Sequence, residues 1–167
     1  MGSDRLRTTL WIVLASSTLT VMAGAIIGPV VREIGIGLGV GSSSAGLIIT
    51  THGVFVFLLS PLVGLVIDRI GARRPYIVGL ILYGIGGGAG LFLDSYIPLL
   101  VSRALLGIAV ALIFTSITVI LLNLYEGKER NRVMGLRGSA NSLGASVWPI
   151  IGGALGVVSW HLPFGVY

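Results

Sequence analysis

The sequence contains no cysteine and few charged side chains: 11 Lys and Arg and 6 Asp and Glu among 167 residues. The missing cysteine excludes disulfides, thiolate catalysis and cysteine-based metal sites. A soluble domain of this size leaves about 30% of its surface exposed, and so few charges could not cover it. With 54% apolar residues, the composition excludes a disordered chain, a nucleic-acid-binding domain and a soluble enzyme. It predicts an integral membrane protein in contact with the lipid bilayer.

Five apolar stretches are long enough to cross a bilayer as helices, because about 20 residues rising 1.5 Å each cover a hydrocarbon core of roughly 30 Å. They are residues 10–31, 45–67, 76–93, 97–124 and 133–158, and an incomplete sixth apolar run begins at Leu162. We therefore predict an all-α fold in which residues 1–167 form one transmembrane domain of five spans and the start of a sixth. The glycine-rich segment 35–41 predicts an outer loop, with an N-cap for the second span among the serines at 42–44.

Basic residues are concentrated on one side of the predicted spans. That side carries nine of them, whereas the other side has only Arg32. By the positive-inside rule the richer side is cytoplasmic, so we predict a multi-pass plasma-membrane protein with a cytoplasmic N-terminus. The nine are Arg5, Arg7, Arg69, Arg73, Arg74, Lys128, Arg130, Arg132 and Arg137.

A charged motif connects the second and third predicted spans. It reads GLVIDRIGARR over residues 64–74 and resembles the signature of the major facilitator superfamily, which is glycine, three residues, an acid, a base, any residue, glycine, any residue and two bases. The resemblance implies a cytoplasmic gate in which the acid meets a helix end of a second transporter half. The matching positions are Gly64, Asp68, Arg69, Gly71, Arg73 and Arg74.

The chemistry of this loop fits a gate. Asp68 ends the second predicted span, where the helix C-terminus is already negative, so it needs a cation or the positive end of another helix. Gly64 permits close approach of a neighbouring helix in lipid. Gly71 is predicted to supply the left-handed turn with which the loop begins.

The fourth and fifth predicted spans are also similar to the family. Arg103 precedes Gly107 by four residues, as in the family's fourth span. An intramembrane Arg costs about 2.5–3.5 kcal/mol and usually faces a cavity or a partner, although Arg103 is near enough to the boundary to extend outward instead. The fifth span resembles the glycine-proline pattern of the family's drug and metabolite antiporters, with a predicted kink and close packing. The residues of this pattern are Gly144, Pro149, Gly152 and Gly153.

The family's arrangement implies which polar residues could contact cargo. Spans one and four would line a central cavity, with spans two and five at the interface between halves. Hydroxyl groups in these spans are expected to bond to their own helices. No acid lies well inside a predicted span, so a coupling group would be His52, an acid at an outer end or a group in a second half. The candidates for cavity or coupling roles are Arg103, His52 and Asn141.

The resemblance implies a secondary active transporter, most like the drug and metabolite efflux branch, that exports small organic compounds by alternating access. No Ser-His-Asp set, HExxH or paired carboxylate appears in the sequence, so we predict no enzyme activity. His52 and His161 lie in different spans without ligand-spaced companions, so neither a metal site nor a cofactor is predicted.

Length leaves an alternative open, because alternating access needs two halves around a midplane site. A truncated, non-transporting half could instead act as a folding or assembly unit or as a partner subunit. In either case a C-terminal half or a second copy in a homodimer is the expected partner. The spacing of Gly152 and Gly156, four residues apart, is typical of close helix contacts and supports such an association.

Overall fold

The computed structural model describes residues 3–167, with side chains from Leu6 onward, and this part of the chain contains helices and no strand. The all-α prediction is confirmed. The helices are α1 Ser3–Ala25, α2 Val31–Gly37, α3 Ser42–Ile70, α4 Arg73–Gly88, α5 Tyr96–Leu124 and α6 Gly127–Gly156, with 3₁₀ helices at Gly28–Val30, Ala89–Leu91 and Leu162–Val166.

Five of these helices are long, as predicted, and each begins before the apolar stretch predicted for it. Within the described residues, three segments are long and apolar enough to cross a membrane: Leu6–Gly37, Ser42–Ile70 and Tyr96–Leu124. The helix α4 has 16 residues and continues as a 3₁₀ turn. The helix α6 begins with charged residues and contains many small and polar ones. These two helices are the less apolar members of the bundle.

The predicted outer loop at 35–41 is only partly a loop. The helix α2 continues to Gly37 and packs with Ile34 and Gly35 buried. Without a Cβ, Gly35 admits α3, since an added Cβ would lie 3.1 Å from the Cβ of Ala45. The chain reverses through Gly39, whose φ is +64°. The N-cap of α3 is Gly41, which makes no side-chain cap bond, so the predicted serine cap is wrong.

The helix α5 lies at the centre of the bundle and packs against α1, α3 and α4. Leu106, Ile113 and Ile117 on this helix are fully buried. The glycines of α4 explain the close approach on that side. A Cβ on Gly79 would lie 2.9 Å from Cγ1 of Ile113, and one on Gly86 would lie 3.0 Å from the backbone nitrogen of Leu106. Dispersion contacts at this separation hold helices together where lipid offers no hydrophobic driving force.

Glycines of α6 pack against the first membrane-length segment. A Cβ on Gly152 would overlap the carbonyl oxygen of Ile26, and one on Gly156 would overlap the side chain of Val30. The contacts expected for a partner chain at this spacing are therefore made inside the chain. Pro149 lies within α6, which continues to Gly156.

The segment predicted to begin a sixth span folds back onto the bundle as a short 3₁₀ helix. We call residues 160–167 the C-terminal aromatic segment. Three of its rings lie where glycines leave room: Trp160 over Gly37, Phe164 over Gly90 and Tyr167 over Gly87. His161 Nε2 lies within hydrogen-bond distance of Oδ1 of Asp94, at 2.9 Å.

We predict that Gly152→Ala destabilises the bundle by about 1–3 kcal/mol, because the new methyl overlaps the backbone of Ile26 and α6 must move away from α1. The measurement is the free energy of unfolding in detergent micelles. Gly135→Ala is the matched control, since Gly135 lies on the same helix with no neighbour within 4 Å of its added Cβ. Equal loss of stability in both variants would contradict close packing at Gly152.

Candidate functional site

A cavity of about 440 Å³ lies where α1, α3, α5 and α6 meet. Pockets for small organic molecules usually measure about 300–1,000 Å³ and combine apolar walls with a few polar groups. This cavity has that composition. Its lining residues are Thr20, Val21, His52, Gly53, Val56, Phe57, Ser60, Val110, Phe114 and Asn141.

Two of the polar groups in the cavity wall have no internal partner. The hydroxyls of Thr20 and Ser60 each donate to a carbonyl of their own helix at 2.7 Å, as predicted for hydroxyls in these spans. By contrast, Nδ1 of His52 and the amide oxygen of Asn141 are buried without a hydrogen-bond partner. Because buried polar groups are normally satisfied, these two side chains are the ones left for a ligand. The structure thus places two of the three predicted candidates in one cavity.

Glycines on two neighbouring helices hold His52 in place. A Cβ on Gly24 of α1 would lie 2.8 Å from Cε1 of the imidazole, and one on Gly107 of α5 would lie 2.5 Å from the carbonyl oxygen of His52. The backbone of α3 therefore packs directly against α5 at Gly107, and the imidazole ring of His52 packs against α1 at Gly24. Gly107, singled out by its spacing from Arg103, acts here through its missing side chain.

Arg137 is buried beside the cavity instead of standing free at the cytoplasmic boundary. Its side chain is 5% exposed. Nη1 donates to Oγ1 of Thr118 at 2.7 Å and Nη2 donates to the carbonyl of Phe114 at 3.3 Å. Its guanidinium carbon lies 4.5 Å from the centroid of the Phe114 ring, which lines the cavity. Arg137 therefore differs in burial from the exposed basic residues with which the charge pattern groups it.

Arg103 lies outside the cavity, between α4, α5 and the C-terminal aromatic segment. It is fully buried and does not extend outward. Its Nη2 donates to the carbonyls of Gly86 and Gly87 at 2.8 and 2.9 Å. These carbonyls belong to the last turn of α4, where acceptors lack helical partners and attract cations. Phe164 lies over the guanidinium, 4.9 Å from ring centroid to Cζ.

The 64–74 motif lies at the α3–α4 connection. Gly71 ends α3 with φ of +78° and ψ of 160°, a conformation open to glycine but extended in ψ and not the left-handed helical turn that we predicted. Asp68 is exposed and forms no ion pair with any described side chain. The motif bases Arg69, Arg73 and Arg74 are exposed as well.

Gly64 faces open space, with nothing within 4 Å of an added Cβ. Gly64 would permit another helix to approach α3 closely, but no other part of the described chain makes that approach. The exposed Asp68 lies one turn further along the same helix face, because residues four apart share a face.

A second cavity of about 450 Å³ lies between α1 and α6. Its wall is formed mainly by leucines with Trp11 and Ala15. The hydroxyls of Thr18 and Ser139 in this wall already donate to their own helices. This cavity has no unpartnered polar group that could orient a polar ligand. We therefore take the first cavity, the one that contains His52 and Asn141, as the candidate binding site.

Sequence reasoning missed Arg137 and Phe114 as parts of the site. A signal was present, since Arg137 lies inside the predicted span 133–158 and precedes Asn141 by four residues, which places both on one face of a helix. For Phe114 no local pattern separates a cavity ring from a core ring. Only the packing of α5 against α6 distinguishes them.

The fold and the cavity define a multi-pass helical membrane protein with a mainly apolar pocket that carries a few polar groups between its helices. The profile of the Major Facilitator Superfamily matches residues 13–167. The chain therefore belongs to this family, and the resemblance seen in residues 64–74 is confirmed.

Similar proteins include one that is named as an exporter. The chain is 27% identical over 159 residues to "Multidrug resistance protein 1" of Bacillus subtilis, covering 93% of this chain and 40% of that protein. It is 29% identical over 134 residues to "Bacillibactin exporter" of the same species, covering 76% and 33%. A "Probable vesicular acetylcholine transporter-B" of Danio rerio is 32% identical over 122 residues, covering 69% and 25%. The chain thus spans at most two fifths of the length of these relatives.

We predict that Arg103→Lys lowers the free energy of unfolding by about 1–3 kcal/mol, because an ammonium group cannot reproduce the planar donation to two carbonyls and is harder to desolvate. Thermal unfolding in micelles measures the effect. Arg74→Lys is the matched control at an exposed position. A variant at position 103 as stable as this control would contradict the proposed role of the guanidinium in joining α4 to α5.

Proposed function

We propose that the chain is the N-terminal half of a secondary active transporter that exports small organic compounds by alternating access. The observation that carries this proposal is the cavity containing His52 and Asn141. Its lining comes from α1, α3, α5 and α6, the four helices that correspond to spans one, two, four and five of the family arrangement. The relative named as an exporter supports the direction of transport.

The proposed topology places the N-terminus and the 64–74 motif in the cytoplasm of a cell with this protein in its plasma membrane. In support, exposed basic residues are found at the connections α3–α4 and α5–α6, on the side assigned to the cytoplasm by charge. On this topology α3 carries cargo-lining residues in its middle and gate residues at its cytoplasmic end.

The gate proposal follows from the unpartnered state of the motif. Asp68 is a carboxylate at a helix C-terminus, an unfavourable position for a negative charge. The face of α3 that leads to it is open at Gly64, as described above. We assign this face to a helix end of the second half, which would complete the gate in the cytoplasm-closed state.

A second candidate function is that of a folding or assembly unit without flux of its own. It is favoured by the open face of α3, where Phe57 is 80% exposed although it lines the cavity, so one wall of the pocket is incomplete in this chain. A C-terminal half or a second copy would supply that wall. Flux into proteoliposomes that contain only this chain separates the two candidates, because a lone incomplete cavity cannot alternate.

We predict that the cavity is filled with water, so that cysteines placed in it react with a membrane-impermeant maleimide. The chain has no cysteine, which makes single substitutions easy to interpret. Asn141→Cys and Gly53→Cys should react readily in reconstituted protein. Ile81→Cys on α4, at a position 58% exposed on the outside of the bundle, is the lipid-facing control. Equal, slow labelling at all three positions would identify the cavity as a lipid contact and remove the basis of the proposed function.

We predict that Asp68→Asn shifts a carrier containing both halves toward the cytoplasm-open state, because loss of a charge-assisted interaction removes about 1.5–3 kcal/mol. Labelling of Ser60→Cys, in the cytoplasmic part of the cavity wall, should become faster. Glu129→Gln, which neutralises another exposed acid, serves as the control. Unchanged labelling in the Asp68 variant would disprove the gate role.

A further inference from the structure

The cavity is bordered by positive charge and by no negative charge within the described residues. Its lining contains no carboxylate. The acids whose side chains the structure describes are all exposed, at or beyond the ends of the long helices. They are Glu33, Asp68, Asp94, Glu126 and Glu129.

Arg137 is the cation closest to the cavity by contact. It lies ten residues into α6, about 15 Å from the start of the helix. Its partners are a hydroxyl, a carbonyl and an aromatic ring, and its Nε is buried without a hydrogen-bond partner. None of these groups neutralises the charge. Ionisable side chains buried in membrane helices typically pair with each other or mark the path of a substrate.

The charge on Arg137 is near enough to act on a ligand. The guanidinium packs on the ring of Phe114, which lines the cavity, with 4.5 Å between Cζ and the ring centroid. Asn141 lies one helical turn from Arg137, about 6 Å along the axis of α6. A unit charge about 8 Å away in a medium of effective dielectric constant about 20 changes affinity by roughly ten- to thirtyfold.

Arg103 is a second buried cation in the bundle. It lies one turn before Gly107, on which the backbone of His52 rests. It is fully buried, its partners are two carbonyls, the hydroxyl of Ser102 and aromatic rings, and its Nη1 has no hydrogen-bond partner. The interior of the bundle thus holds two guanidinium groups without a carboxylate partner among the described side chains.

We infer that the cavity wall built by this chain selects organic anions over organic cations of the same size and shape. This inference rests on the proposed function, since it names the class of compound that the same cavity accepts. A carboxylate or sulfonate group would lie toward the positive charge of Arg137 and accept hydrogen bonds from the side-chain NH₂ of Asn141 and from an imidazole N–H of His52, because the amide oxygen of Asn141 can only accept. The apolar part of the compound would pack on Phe57 and Phe114.

The test compares two probes on the full 167-residue chain in lipid nanodiscs. Both carry the same dansyl fluorophore on a short alkyl chain, one ending in a sulfonate and the other in a trimethylammonium group. Affinities are measured by fluorescence titration at fixed ionic strength, in nanodiscs of zwitterionic lipid so that the membrane surface favours neither probe. We expect the sulfonate to bind at least tenfold more tightly, because the charge that attracts one probe repels the other.

Substitutions assign the preference to the cavity. Arg137→Gln should reduce the ratio of the two affinities by roughly tenfold, whereas Arg137→Lys should retain most of it. Lys128→Gln removes the same charge from an exposed position of the same helix and should leave the ratio unchanged. Asn141→Asp, which is nearly isosteric and puts a carboxylate in the wall, should reverse the preference, and it keeps the test valid if Arg137→Gln does not fold.

The outcomes separate the two proposals. Binding of both probes with equal affinity, or tighter binding of the trimethylammonium probe, overturns the charge preference and leaves the cavity as a binding site. A preference that persists in both Arg137→Gln and Asn141→Asp overturns its assignment to this cavity. If neither probe shows binding that is weakened by His52→Ala, the proposed function and the inference are both overturned.

Discussion

Close approach of helices at glycine residues is the constraint on which this structure depends. In lipid there is no hydrophobic gain from burying one apolar helix against another, so stability comes from contact at short range. Gly86 admits α5 to α4, Gly107 admits α3 to α5, and Gly152 admits α1 to α6. The contacts at Gly107 and Gly152 set the relative positions of helices that line the cavity.

The same constraint explains how a buried cation is tolerated. Because Gly86 and Gly87 have no side chains, their carbonyls are open to the Arg103 guanidinium from the side. The room left at Gly87 and Gly90 is occupied by Tyr167 and Phe164, whose rings cover the charge. A charge that would be costly in lipid is thereby enclosed in carbonyl dipoles and aromatic faces.

The surface of α3 is left partly uncovered by the rest of the described chain. The helix α3 has buried residues on one side, while its opposite side carries an open pocket wall at Phe57 and open space at Gly64. The glycines of α6 that we expected to serve a partner are occupied by Ile26 and Val30, which follow α1. The proposed second half would therefore contact α3 and not the glycine face of α6.

The sequence by itself determined the class of protein, the helices and the family. Runs of apolar residues interrupted by basic turns specify membrane helices because each property is local, and the 64–74 motif is a contiguous string that can be read without a structure. His52 and Asn141 were recognisable as polar residues within apolar spans for the same reason.

Only the tertiary structure decided which of those residues share a site. Arg103 and Arg137 look alike in sequence, each a single Arg inside a predicted span, yet one joins α4 to α5 and the other borders the cavity. The difference arises from which neighbour each helix face meets, and that depends on contacts between residues distant in the chain. The loop at 35–41 was misjudged on the same account, since Gly35 and Gly37 serve packing against Ala45 and Trp160 instead of flexibility.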